Sequence, residues 1–138
     1  MSRIFWDTHL FLYLVEESGV RADRARALRE WMLERGDALL TSTLTLGELL
    51  ARADGDAALG RRVERAVQAA ATVLPFDRRA ALRFAEIRRD GAVGPADAVQ
   101  LACAAAAGVD LFVTGDERLS RARIPGIGFV QSLARAAP

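Results

Sequence analysis

Four acids in this chain stand where carboxylates could work together: Asp7, Glu48, Asp97 and Asp116. Asp7 directly follows the apolar run Ile4-Phe5-Trp6. Asp116 follows Leu111-Phe112-Val113 and the turn Thr114-Gly115. Asp97 lies early in the helical pattern "GPADAVQLA", and Glu48 is the one acid in "TSTLTLGELLA". Grouped carboxylates repel one another, so they coexist stably around a cation or with shared protons. All-oxygen ligation suits Mg²⁺ or Mn²⁺, which keep several waters and bind phosphate oxygens. Ions held this way can activate water and clamp the attacking and leaving oxygens of a phosphodiester.

Each acid also has an ordinary structural use. Asp7 can cap the helix that follows it. Asp97 can offset the positive end of a helix dipole, and Asp116 can hold a turn. Glu48 can complete a capping box with Thr45. If that helix instead begins at Ser42-Thr43, Glu48 lies inside it among Leu46, Leu49 and Leu50, where a carboxylate costs free energy unless paired. The other acids read as caps and turns (Asp23, Asp37, Asp77, Asp110, and Asp54, Asp56, Asp90) or as charged helix faces (Glu16, Glu17, Glu30, Glu34, Glu64, Glu86). Glu117, beside Asp116, reads as solvent-facing.

The elements that must position these acids alternate along the chain. Strands are expected at 3–6, 38–42, 72–76 and 110–114, with a last edge strand within 127–133. Helical spacing covers 8–18, 22–36, 44–54, 57–70, 77–91 and 94–108. Asp77 is a cap signal, Pro95 a first-turn signal, and Gly36, Gly91 and Gly108 are stop signals. The pattern predicts an α/β fold: a mostly parallel central sheet flanked by helices. Ligands bind such sheets at the carboxyl ends of the strands, which is where Asp7 and Asp116 fall.

With 138 residues, 51% of them hydrophobic, the chain suits a single domain over 1–138 with a real core. Its net charge is +1, so any nucleic acid must be bound through a local patch. Every basic residue is Arg, which excludes lysine chemistry and suits bidentate phosphate contacts. The one cysteine, Cys103, falls in "LACAAAA" and reads as a small buried hydrophobe. There is no signal-peptide pattern and no apolar run of membrane-spanning length, so the expected compartment is the cytoplasm, with no membrane partner.

The segments "FWDTHLFLYLVE", "LLTSTLTLGELLA", "VLPFD" and "GPADAVQLACAAAAGVDLFVTGDERL" together resemble a PIN domain. In particular they resemble the ribonuclease toxins of VapC type from bacterial toxin–antitoxin pairs. The resemblance spans nearly the whole chain in order. It implies that Asp7, Glu48, Asp97 and Asp116 form an acidic quartet holding one or two Mg²⁺ or Mn²⁺ ions. It further implies RNA cleavage by an activated water, leaving a 5′-phosphate and a 3′-hydroxyl. Thr114 matches the family's small polar residue two before the last acid, with an accessory role toward water or substrate. A homodimer and an inhibitory antitoxin are implied as well, with the helix around Trp31 and the helix 43–53 as candidate contact surfaces. Two positions depart from the pattern: His9 stands where many relatives carry Asn, and Gly115 where many carry Asn or Arg. Arg118 and Arg121 are candidate contacts to the RNA backbone, although plain solvated charge is the more ordinary role for each.

Other phosphate-handling α/β families fit less well. A haloacid-dehalogenase-type site needs a second Asp two residues after the first, where this chain has His9. A receiver domain needs a lysine. The alternatives left are a non-catalytic PIN-like scaffold for RNA or protein, and a PIN nuclease outside toxin–antitoxin systems.

Overall fold

The computed structural model describes residues 1–15 and 18–136. Five strands form one all-parallel sheet in the order β3-β2-β1-β4-β5. The strands are β1 (Arg3–Trp6), β2 (Ala38–Ser42), β3 (Thr72–Leu74), β4 (Leu111–Thr114) and β5 (Phe129–Ser132). The helices are α1 (Thr8–Val15), α2 (Val20–Arg35), α3 (Thr43–Ala51), α4 (Ala57–Ala70), α5 (Arg78–Arg88), α6 (Pro95–Ala107) and α7 (Leu133–Ala136). A 3₁₀ turn spans Glu117–Arg121. The mostly parallel sheet expected from the sequence is thus wholly parallel, and the tail supplies its edge strand. The short α7 has too few residues to show a helical period and carries no such signal in the sequence. Glu16 and Glu17, placed on a charged helix face by the sequence pattern, lie outside the described residues.

The central strands are apolar on both faces, as a sheet covered by helices on each side requires. Ile4, Trp6, Leu39 and Val113 face one way and pack with Leu10 and Phe11 of α1 and Leu28 and Met32 of α2. Phe5, Leu40 and Phe112 face the other way, against Leu101 and Ala104 of α6. Phe5 and Phe112 stack at 5.0 Å. Both are fully buried, and burial of each contributes about 1.5–3 kcal/mol. Gly36 and Gly108 end α2 and α6 in the left-handed conformation, as the sequence predicts. Cys103 is buried on the α6 face, and that burial pushes its thiol up to about 11.

The strand order creates the place for a site. From β1 the chain crosses outward to β2 and β3, then returns to β4 on the opposite side of β1. The carboxyl ends of β1 and β4 therefore flank the point where the winding reverses, the crevice in which parallel sheets bind ligands. At the amino ends of the strands, acids serve the backbone instead. Asp37 accepts from Ser2 N at 2.7 Å, and Asp110 accepts from Arg3 N at 2.7 Å.

Candidate active site

Asp7 stands one residue past β1 and is only 4% exposed. Its backbone N–H donates to Val113 O at 3.2 Å, extending the β1–β4 pairing. Its Oδ1 accepts from His9 N at 3.0 Å, so it caps α1. Its Oδ2 accepts from Thr114 Oγ1 at 2.7 Å and from Gly115 N at 3.3 Å. The cap reading and the site reading are both realised: the carboxylate is locked between α1 and the end of β4.

Thr114 is fully buried. While donating to Asp7 it accepts from Asp116 N at 2.9 Å. It therefore positions two acids at once, and contact with substrate or bulk water is closed to it. Its accessory role, where the resemblance implied one toward water or substrate, is here exercised on the acids themselves.

Ser42 caps α3, accepting from Thr45 N at 3.4 Å, so the helix begins at Thr43 and Glu48 lies more than a turn inside it. The capping-box reading with Thr45 is set aside. Glu48 lies on the exposed side of α3, whose only buried residue is Thr45. Glu48 Oε1 accepts from Thr8 Oγ1 at 2.8 Å, which ties α3 to α1. Behind this contact lies a buried polar network centred on Gln100. Its Nε2 donates to Thr45 Oγ1 at 2.8 Å and to Thr8 Oγ1 at 3.2 Å, and its Oε1 accepts from Ser42 Oγ. Gln100 is 4% exposed and fixes the start of α3 against α1 and α6. The sequence reading missed it. The available signal is a lone amide in the apolar stretch "AVQLACAAAA", three residues after Asp97.

Asp97 lies in the first turn of α6 and is half-buried. Burial raises its pKa, and the charges of Asp7 and Asp116 push it further the same way. Asp116 caps the 3₁₀ turn, accepting from Arg118 N at 2.9 Å. The Arg118 guanidinium forks onto both its oxygens at 3.2 Å and holds its pKa below the usual carboxylate range. Arg118 is thus an ion-pair partner of a site acid. Arg121 is exposed and borders a separate cavity with Phe129.

Asp7, Glu48 and Asp97 line one cavity of about 380 Å³. Asp97 and Asp116 line an adjoining one of about 640 Å³. Asp97 and His9 border both, so the quartet surrounds a continuous two-lobed cleft. Among the described residues, no set of three His, Cys, Asp or Glu side chains closes around a single point as a metal cage does. Mg²⁺ does not require one. It is held by one or two carboxylates and completes its octahedron with water and phosphate. The donor chemistry fits such an ion: oxygen only, with Asp97 disfavoured as an anion until a cation offsets its neighbours.

A family model described as PIN domain matches residues 4–125. No curated protein sequence matches the chain. Among solved structures, VapBC2 from Rickettsia felis, bound to a promoter DNA fragment, is similar with a TM-score of 0.73 and 15% identity, covering 94% of this chain and 98% of that one. DNA-bound VapBC from Salmonella typhimurium has a TM-score of 0.68 and 26% identity, covering 96% and 99%. A toxin–antitoxin complex from Klebsiella pneumoniae has a TM-score of 0.64 and 22% identity, covering 90% and 94%. At such identities the first and third speak to the fold alone.

Proposed function

The chain belongs to the PIN domain family, and on that premise we propose that it is a Mg²⁺- or Mn²⁺-dependent endoribonuclease, the toxin of a VapBC-type toxin–antitoxin pair. The observation that carries this reading is the joint placement of Asp7, Glu48, Asp97 and Asp116 around one cleft at the carboxyl edge of the sheet. Asp7, Asp97, Asp116 and Glu48 would hold the ion. When bound, it supplies Lewis acidity toward water and phosphodiester and offsets the charge that develops on the phosphorus oxygens.

The chain's own residues do the rest. Thr114 and the backbone of Gly115 fix the Asp7 carboxylate, so it needs little reorganisation on loading. Thr8 holds Glu48 over the cleft from α3. Burial and the charges of Asp7 and Asp116 raise the pKa of Asp97, a cost that a cation held among these acids would offset. Arg118 keeps Asp116 ionised and leaves a guanidinium beside the cleft, where a phosphate can compete for it.

An antitoxin has a matching surface. An apolar groove of about 440 Å³ runs between α1, α3 and α4, lined by Phe11, Leu49, Leu59, Val63 and Val67. The similar Salmonella structure, at 26% identity, is a DNA-bound VapBC. An amphipathic antitoxin segment laid in this groove would lie beside Arg52, which borders both the groove and the acidic cleft. The toxin is proposed to act as a homodimer. No described helix is long and apolar enough to cross a membrane.

The test is cleavage of RNA and of DNA, side by side, with Mg²⁺, Mn²⁺ or EDTA, followed by end-group analysis. RNA cut only with metal, leaving 5′-phosphates, supports the reading. Cleavage of DNA alone, or cleavage unaffected by EDTA, contradicts it.

A further inference from the structure

The two departures from the family pattern prove to be one structural unit. A Cβ added at Gly115 would meet Tyr13 Oη at 2.5 Å and His9 Cβ at 2.7 Å. A side chain at 115 would therefore have to displace α1 side chains, and the space it would fill holds His9 backed by Tyr13. The two rings lie 6.4 Å apart, tilted at 33°. Tyr13 is buried, whereas the His9 side chain is 53% exposed. His9 Nδ1 faces Asp7 Oδ2 at 3.5 Å, which orients the ring at the boundary between the two lobes of the cleft.

The larger lobe runs from this ring, past Asp116, to Arg21 and Arg24 on α2. Arg21 lies over the Tyr13 ring at 5.6 Å from its centroid. Both arginines are exposed, and neither forms an ion pair with an acid among the described residues. An exposed aromatic ring beside unneutralised guanidinium groups is the chemistry that binds single-stranded nucleic acid, by stacking a base and pairing a phosphate. The smaller lobe is lined by Asp7, Glu48 and Asp97 and has Arg52 as its one arginine.

We propose that the larger lobe is a nucleotide subsite for single-stranded RNA, in which His9 stacks a base next to the cleavage site and Arg21 and Arg24 bind the following backbone phosphates. The proposal rests on the nuclease reading above and assigns a direction to it: the RNA leaves the acids past Asp116 toward α2. On this proposal, the base contact that a side chain at position 115, just past β4, could make is made here from α1.

The experiment is anisotropy titration of a fluorescein-labelled, ten-nucleotide single-stranded RNA in Ca²⁺ across a salt series, with cleavage in Mg²⁺ followed separately. Arg21→Ala/Arg24→Ala is expected to raise Kd about tenfold or more and to lower the salt slope by roughly one to two. Arg61→Ala/Arg62→Ala, an equal charge change on α4, keeps Kd within about twofold if the effect is local. His9→Ala is expected to weaken binding with the salt slope kept, and His9→Phe to restore it, because stacking needs a ring and no charge. An unchanged Kd for the Arg21/Arg24 pair overturns the proposal, as does His9→Phe weakening binding as much as His9→Ala. If the wild type cuts nothing, the nuclease reading fails, and the titration still decides the subsite.

Discussion

Thr114 Oγ1 donates to Asp7 Oδ2 at 2.7 Å, joining the ends of the two central strands through a fully buried hydroxyl. The same oxygen receives the N–H of Asp116. One side chain therefore sets the spacing of two quartet acids. Thr114→Val keeps the shape and removes both bonds. It is expected to cost about 1–3 kcal/mol, a Tm fall of roughly 3–12 °C, and to lower cleavage about tenfold or more. Thr114→Ser keeps the hydroxyl and most of both properties. Thermal denaturation and initial rates check this. A Val variant as active and stable as wild type would refute the positioning role.

Gln100 anchors the Ser42–Thr45–Thr8 network beneath Glu48. Gln100→Leu fits the volume but strands buried hydroxyl partners, so a loss of about 2–4 kcal/mol is expected. Denaturant unfolding measures it: the midpoint should fall with an unchanged m-value. A midpoint equal to that of wild type would show the network to be energetically idle.

Gly115→Ala tests the close approach of α1 to β4. The added methyl must displace Tyr13 Oη and His9, at a cost of about 1–3 kcal/mol. Tyr13→Phe/Gly115→Ala removes the Tyr13 Oη side of that clash, the shorter of the two contacts, and leaves His9 in place. The double variant is expected to recover part of the loss, giving a favourable coupling in a double-mutant cycle. Strict additivity of the two changes would contradict the contact.

Asp97 links charge to stability. Its folded pKa lies above the ordinary 3.8, raised by burial and by the neighbouring Asp7 and Asp116. The stability it contributes is present below the unfolded value and is lost as pH rises through the raised folded one. At neutral pH the ionised group therefore works against folding. Asp97→Asn in EDTA is expected to show a higher Tm than wild type at pH 7, with the gap closing toward pH 4. Added Mn²⁺ should stabilise wild type and not Asp97→Asn. A variant less stable than wild type in EDTA at pH 7 would return Asp97 to a simple helix-dipole role.

The fold was legible because its signals are local and repeated. Apolar runs such as Ile4-Phe5-Trp6 mark strands buried on both faces, and caps such as Asp77 and stops such as Gly108 mark helix ends. That the four acids fall at one edge of the sheet was legible because two follow strands and two lie on helices that begin at that edge. What could not be read was how the side chains share the work. That Thr114 is sealed beneath the acids, that Glu48 is exposed, and that Arg118 grips Asp116 all depend on how helices lean over the sheet edge. Sequence spacing does not encode that lean. Gln100 was missed for the same reason: one amide in an apolar helix gives no hint of partners 55 and 58 residues away.

The central claim is that the four acids form a metal-dependent cutting site. The most direct test is cleavage of total RNA by purified wild type and Asp97→Asn, each with Mg²⁺, with Mn²⁺ and with EDTA. The account predicts discrete RNA fragments from wild type with either metal, none in EDTA, and a rate at least a hundredfold lower for Asp97→Asn at every metal concentration. Cleavage by Asp97→Asn at the wild-type rate, or no cleavage by wild type under any of these conditions, would contradict it.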